Sequence, residues 1–185
     1  MKRTVIFVVA ALATVAVGPA EASPEAEGQH CVTMLVPLEP IGGRTLAELE
    51  PIGCFPTYDQ ALEAGSGSAI DVSADTSPQT LTDATAALLS TSSSVLIGTE
   101  YDGSNFGGGS QSYFAASTCA GVSWSVANVG SEWNDRFQSG KGFGGCDTNR
   151  KFQHENFAGD VRTCTPNCAD YGALENEVTS LRWRP

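Results

Sequence analysis

Histidine is nearly absent from this 185-residue chain, which has only His30 and His154, and basic residues are scarce, with 10 Lys plus Arg against 21 Asp plus Glu. Two histidines, with no pair of Cys-x-x-Cys knuckles beside them, leave a zinc site without its usual ligands. The net charge of −11 repels a phosphate backbone, so nucleic acid and anionic membrane surfaces are poor partners and cations are better ones. Catalytic signatures are also missing: there is no Gly-x-Ser-x-Gly elbow, no P-loop and no His-Glu-x-x-His. His154 beside Glu155 reads as an exposed turn residue, and Asp170, Glu175 and Glu177 have no neighbour that would set one of them up as an acid. The expectation is a binding module and not an enzyme.

No apolar run reaches the roughly 20 residues that span a bilayer as a helix. The longest, Val5 to Val17, follows Lys2 and Arg3 and precedes Ala20-Glu21-Ala22, a small-x-small cleavage pattern. Residues 1–22 therefore read as a secretory signal peptide, with a secreted, extracellular mature chain from about Ser23 and no membrane attachment after cleavage. Without Lys2, Arg3 and Glu21, 8 basic and 20 acidic residues remain. All six cysteines, Cys31, Cys54, Cys119, Cys146, Cys164 and Cys168, lie beyond the signal, so a disulfide framework is expected. Six cysteines allow 15 pairings. Proximity favours Cys31 with Cys54, Cys119 with Cys146 and Cys164 with Cys168, although spacing alone does not fix connectivity.

Residues 23–94 and 95–185 differ in composition. The first part opens on an aperiodic polar lead from Ser23 to His30, followed by an apolar, β-branched strand from Cys31 to Leu38. Pro40 to Gly43 interrupt it, and a short return strand is expected at Ile52 to Phe55. Thr57 then caps a two-turn helix that Gly65 ends, with Gln60 completing the capping pattern. Pro78 stands at the first position of a second helix, from Gln79 to about Leu89. Ser90 to Ser94 form a hinge, which sets residues 23–94 apart as a small α+β appendage and linker. Beyond it the chain reads as short strands between glycine turns, as in an antiparallel sandwich.

Within residues 95–185 one pattern occurs twice. Tyr101-Asp102-Gly103-Ser104-Asn105-Phe106-Gly107-Gly108-Gly109-Ser110 is matched by Phe152-Gln153-His154-Glu155-Asn156-Phe157-Ala158-Gly159-Asp160-Val161. Each run is followed by a polar loop, Trp133-Asn134-Asp135-Arg136-Phe137-Gln138-Ser139 in the first half and Leu174-Glu175-Asn176-Glu177-Val178-Thr179-Ser180 in the second. An aromatic and a Phe five residues apart can pack together around a folded hairpin, with glycine where the chain turns. The loops carry the oxygen donors that calcium takes, six to eight at a time.

These residues resemble the βγ-crystallin family, whose motifs pair aromatic-x-x-x-x-Phe-x-Gly-x-Ser with a later [Asn/Asp]-[Asn/Asp]-x-x-[Ser/Thr]-Ser loop. The resemblance implies an all-β, two-motif Greek-key sandwich with Ca2+ sites built by exchange between motifs. One site would use the Glu177 carbonyl, the Thr179 hydroxyl and the Asp135 carboxylate; the other, the Arg136 carbonyl, Gln138 and Asn176. A further carbonyl is expected near Glu100 to Gly103 or Phe152 to Glu155. Three positions depart from the pattern: Gln138 replaces the hydroxyl residue, Glu175 replaces Asn or Asp, and Val161 replaces Ser. Some exported metalloproteinase inhibitors are similar to crystallins, which gives an alternative reading with an extracellular proteinase as partner and Cys164-Thr165-Pro166-Asn167-Cys168 as the rigid loop.

Overall fold

A computed structural model describes residues 29–38, 44–68, 71–88 and 94–185. The expected signal peptide at residues 1–22, most of the polar lead and the serine cluster at residues 90–93 lie outside them. No helix among the described residues is long and apolar enough to cross a membrane.

The glycine-rich half forms β3 (Val95–Gly103), β4 (Gly107–Ala115), β5 (Ser123–Val126), β6 (Ser139–Gly142), β7 (Thr148–Phe152), β8 (Val161–Cys164) and β9 (Ser180–Arg184). Strands β6, β3 and β4 lie side by side in one layer, and β5, β9, β7 and β8 in another. The first motif thus gives its third strand, β5, to the layer of the second motif. The return exchange is the antiparallel bridge of Cys168 to Gly140 on β6, with hydrogen bonds of 3.0 and 2.9 Å. Two Greek keys interlocked in this way form the all-β sandwich expected of residues 95–185.

The segment that reads as a separate appendage is built into this sheet. β1 (His30–Pro37) runs parallel to β4, from His30 opposite Ser110 to Leu35 opposite Ala115, and antiparallel to β2 (Arg44–Phe55). The start of β2 pairs with β5 from Arg44–Ser123 to Leu46–Ser125, so one hairpin joins the two layers into a nine-stranded curled sheet. β2 is far longer than the short return strand the sequence suggests, because its Glu48, Glu50 and Pro51 are tolerated along a ladder that shifts register between Val32 and Thr33.

The two sides of β1 supply two cores. Cys31, Leu35 and Ala47 join Ile97, Tyr113, Trp124, Trp133, Phe137, Leu181 and Trp183 in the inner cluster. Val32 joins an outer cluster with Leu96, Tyr101, Phe114 and Phe143, covered by Tyr58, Ala61 and Leu62 of α1 (Tyr58–Gly65). β3 is buried from Val95 to Tyr101 because both of its faces are covered. Gly65 is required for a close approach: a Cβ there would overlap the Phe114 ring.

Both helices occur; α1 starts after Thr57 as expected, whereas the second starts later. Thr57 precedes α1 in extended conformation but makes no side-chain cap. The second helix, α2 (Asp83–Leu88), begins four residues later than Pro78 suggests. Ser77 and Thr80 close a turn through reciprocal side-chain bonds of 3.0 and 3.3 Å, and Thr82 accepts the Thr85 N–H at 3.3 Å. The Ser77 and Thr80 side chains compete with the backbone for helical hydrogen bonds, and Thr82 caps the helix that starts at Asp83. The disulfides are Cys31–Cys54, Cys119–Cys146 and Cys164–Cys168, the pairing that proximity favours.

His30 anchors β1 with Nδ1 2.9 Å from the Ser110 hydroxyl and its ring edge-on to Tyr58 at 5.4 Å. Desolvation lowers its pKa, with Asp102 and Asp59 opposing. The unfolded chain, with a His pKa near 6.5, then binds more protons than the folded one below that pH. The contribution is complete above about pH 6.5 and is lost as pH falls through the lower folded value. A melting series from pH 7.5 to 5, to about half a unit, is expected to show a steeper loss in the wild type than in His30→Gln.

Candidate metal centres

The two repeated hairpins fold alike, residue for residue. Asn105 and Phe106 have φ of 55° and 63°, and Asn156 and Phe157 have 56° and 65°. Left-handed φ is unfavourable for a bulky residue, so each Phe must be held by packing. Phe106 lies edge-on to Tyr101 at 5.8 Å, and Phe157 to Phe152 at 5.6 Å. The last serine of each polar loop locks the bend. Ser139 Oγ accepts the Phe106 N–H at 3.0 Å and donates to the Gly103 carbonyl at 2.6 Å. Ser180 Oγ accepts the Phe157 N–H at 3.1 Å and donates to the His154 carbonyl at 2.7 Å.

The loops themselves are exchanged. The Asp135 N–H donates to the Val178 carbonyl at 3.3 Å, and the Asn176 N–H to the Phe137 carbonyl at 3.0 Å. Each loop therefore places its second residue on the other loop, with Asp135 at φ 57° and Asn176 at φ 58°. The fold is of βγ-crystallin type. No family model matches the chain, and no curated protein matches it. Solved structures similar to it include a βγ-crystallin from an archaeon, 23% identical with a TM-score of 0.35, covering 48% of this chain and 96% of that one. Another is a βγ-crystallin domain from Clostridium beijerinckii, 22% identical with a TM-score of 0.37, covering 48% of this chain and 97% of that one.

The two exchanged loops differ in what surrounds them. Beside Thr179 is an open cavity of about 600 Å³ lined by Asn128, Ser131, Asn134, His154, Glu155 and Thr179. Asn134 Nδ2 donates to Asp135 Oδ2 at 2.7 Å, whereas Asn134 Oδ1 is buried and has no hydrogen-bond partner. Glu155 and Glu177 are exposed and accept from Asn128 at 2.7 Å and Gln153 at 2.8 Å, respectively. A cavity lined by Asn, Ser, Thr and Glu side chains, with an unsatisfied buried acceptor on one of them, suits a hard cation.

At the other end the corresponding groups satisfy one another. Ser104 Oγ lies 3.3 Å from Gln138 Oε1 and 3.2 Å from Glu175 Oε1, and Gln138 Nε2 donates to Asn176 Oδ1 at 3.3 Å. Gln138 therefore directs a donor at an oxygen that a metal would need. Arg136 is turned away, paired with Asp102 at 2.9 Å and lying 4.7 Å over the Trp133 ring. Among the described residues, the three His, Cys, Asp or Glu side chains that converge closely are Cys31, Cys54 and Glu132, of which the cysteines are spent in a disulfide.

Sequence reasoning missed Asn134, Asn128, Ser131 and the Glu155 side chain as cavity residues. A signal for Glu155 was present, since it occupies in the second hairpin the place of Ser104 in the first. Asp170 lies outside both loops, with its carboxylate on the Gly172 N–H.

Proposed function

We propose that the protein is an exported βγ-crystallin-type module that binds calcium at the exchanged loop of Thr179, Glu177 and Asp135. The supporting observation is the oxygen-lined cavity with the buried, unpartnered Asn134 Oδ1. Asn134 and Glu155 join the donor set that the resemblance implies. A bound cation would supply one positive centre shared by loops from both Greek keys, so its effect is to hold the motifs together. The Gln138 and Asn176 end is the weaker partner because its groups already bond to each other.

Thermal unfolding and calorimetric titration with calcium test this reading. A cation that binds only the folded chain stabilises it by about 2.7 kcal/mol at one hundred times Kd. Asp135→Ala and Thr179→Ala are each expected to remove most of the calcium-dependent rise in Tm, and Gln138→Ala little of it. Gln138→Ser should add a second binding event. A calcium response that survives Asp135→Ala and disappears in Gln138→Ala would overturn the ligand assignment.

The alternative, an inhibitor of an extracellular proteinase, draws less support. Its candidate loop is pinned to the sheet: Asn167 Oδ1 accepts the Gly142 N–H at 3.2 Å, and the Pro166 carbonyl accepts from Asn149 Nδ2 at 2.6 Å. A segment held this way closes the β8 turn and offers an approaching active site little extended backbone.

A further inference from the structure

Between the two layers of the sandwich, Lys151 of β7 and Glu100 of β3 meet with side chains 1% and 0% exposed. Lys151 Nζ is hydrogen-bonded to Glu100 Oε1, and the Tyr171 hydroxyl is bonded to Glu100 Oε2. The Tyr171 and Trp183 rings enclose the amine, their centroids 5.7 and 5.5 Å from Nζ. The sheet is shaped around this group. Gly140 stands opposite Glu100 in the β3–β6 ladder, and a Cβ there would overlap the Tyr171 hydroxyl and lie 2.5 Å from Glu100 Oε2. Nearby hydroxyl and indole groups are not spent on the pair: Tyr113 Oη and Trp183 Nε1 are buried without partners.

We propose that Lys151 and Glu100 condense to an intramolecular isopeptide bond that covalently joins the two Greek keys. A nucleophile, a carboxyl group and a hydrogen-bond donor to the remaining oxygen are held in contact in a site closed to water. Such fixed proximity replaces the encounter step of an intermolecular reaction. Two ions sealed from water are also costly, and the amide removes both charges.

Passing one proton from Nζ to Oε1 along their hydrogen bond gives an amine and a carboxylic acid. Burial favours the neutral amine, lowering the Lys151 pKa against the pull of Glu100. Tyr171 stays a protonated phenol, because desolvation and then the Glu100 charge raise its pKa. The Nζ lone pair adds to Cδ, and the Cδ–Oε1 bond breaks. Oε1 leaves as water with two of the three original ammonium protons, and the third stays on the amide nitrogen. Oε2 becomes the amide oxygen and keeps its bond from Tyr171. No oxidant or co-reactant takes part. Tyr171 is a positioning and polarising group for the carboxyl.

Mass spectrometry of the full exported chain, reduced and denatured, is the test, with its N-terminus determined on the same sample. The expected mass is one water below that of the sequence. Trypsin should fail to cut after Lys151, leaving peptide 45–136 joined to peptide 151–162. Lys151→Met should have its full sequence mass, and Tyr171→Phe should give a larger unlinked fraction than wild type. A wild-type chain of full mass that trypsin cuts after Lys151 would overturn the proposal. So would a Lys151→Met chain that is still one water light, since the water would then have left from elsewhere. If Lys151→Met does not fold, the wild-type peptide map decides by itself.

Discussion

A chain beginning at Ser94 is expected to lose cooperative unfolding, with a broad, sloping melt and weak near-ultraviolet dichroism. Both motifs of the sandwich lie beyond that point, and the change in composition there invites the cut. In the folded protein, however, β1 occupies the side of β4 along six residue pairs, and β2 occupies the side of β5. Removing them strips Cys31, Leu35 and Ala47 from the inner core and Val32, Tyr58, Ala61 and Leu62 from the outer one. Fully burying one side chain of the Val, Leu or Phe class is worth about 1.5–3 kcal/mol, and folding stability is only about 5–15 kcal/mol in total. Phe114, Leu96 and Tyr101 would face solvent together, beside an unpaired β4 edge that promotes association. Sharp, concentration-independent unfolding of the oxidised fragment would contradict this.

Lys151→Met is expected to cost about 3–5 kcal/mol, the range for removing one partner of a buried ion pair. Glu100 would be left inside the sandwich with only the Tyr171 hydroxyl to bond. The direction is the same whether the two residues are joined or only paired, since either way a lone carboxyl remains. The double variant Glu100→Leu/Lys151→Met should regain part of the loss, because it removes the stranded acid together with its partner. Urea denaturation would read both effects as shifts in midpoint at constant slope. A single variant within about 0.5 kcal/mol of wild type, the range of ordinary surface changes, would mean that the pair plays no part in stability.

Local signals carried well from sequence to structure. The spacing of Tyr101 to Phe106 and of Phe152 to Phe157 placed both folded hairpins, since an aromatic pair five apart around a glycine turn has few other uses. The same short range let Cys164 find Cys168, and let Gly65 mark the end of α1. What escaped was decided by remote partners. Nothing near Cys31 to Leu38 announces that Ser110 to Ala115 will lie beside it, so residues 23–94 read as an appendage. No local pattern marks Glu100 and Lys151 as buried, because each is tolerable inside only on account of the other. At the candidate metal centre, the loop positions of Asp135, Thr179 and Gln138 were legible from the repeat. The unpartnered oxygen of Asn134 was not, because which of its two polar ends remains free depends on where Asp135 turns.

The position of β1 also governs when the fold can be completed. Its parallel neighbour is reached only eighty residues later, as the contact of His30 with Ser110 records, and β5 comes later still. A chain emerging from its N-terminus cannot finish this sheet stepwise. β1 must wait, unpaired on one side, until β4 has followed it out. Such long-range pairing makes folding slow and leaves an apolar strand exposed meanwhile. The Cys31–Cys54 bridge, closing 23 residues, is available early and would hold β1 and β2 as a hairpin during that wait.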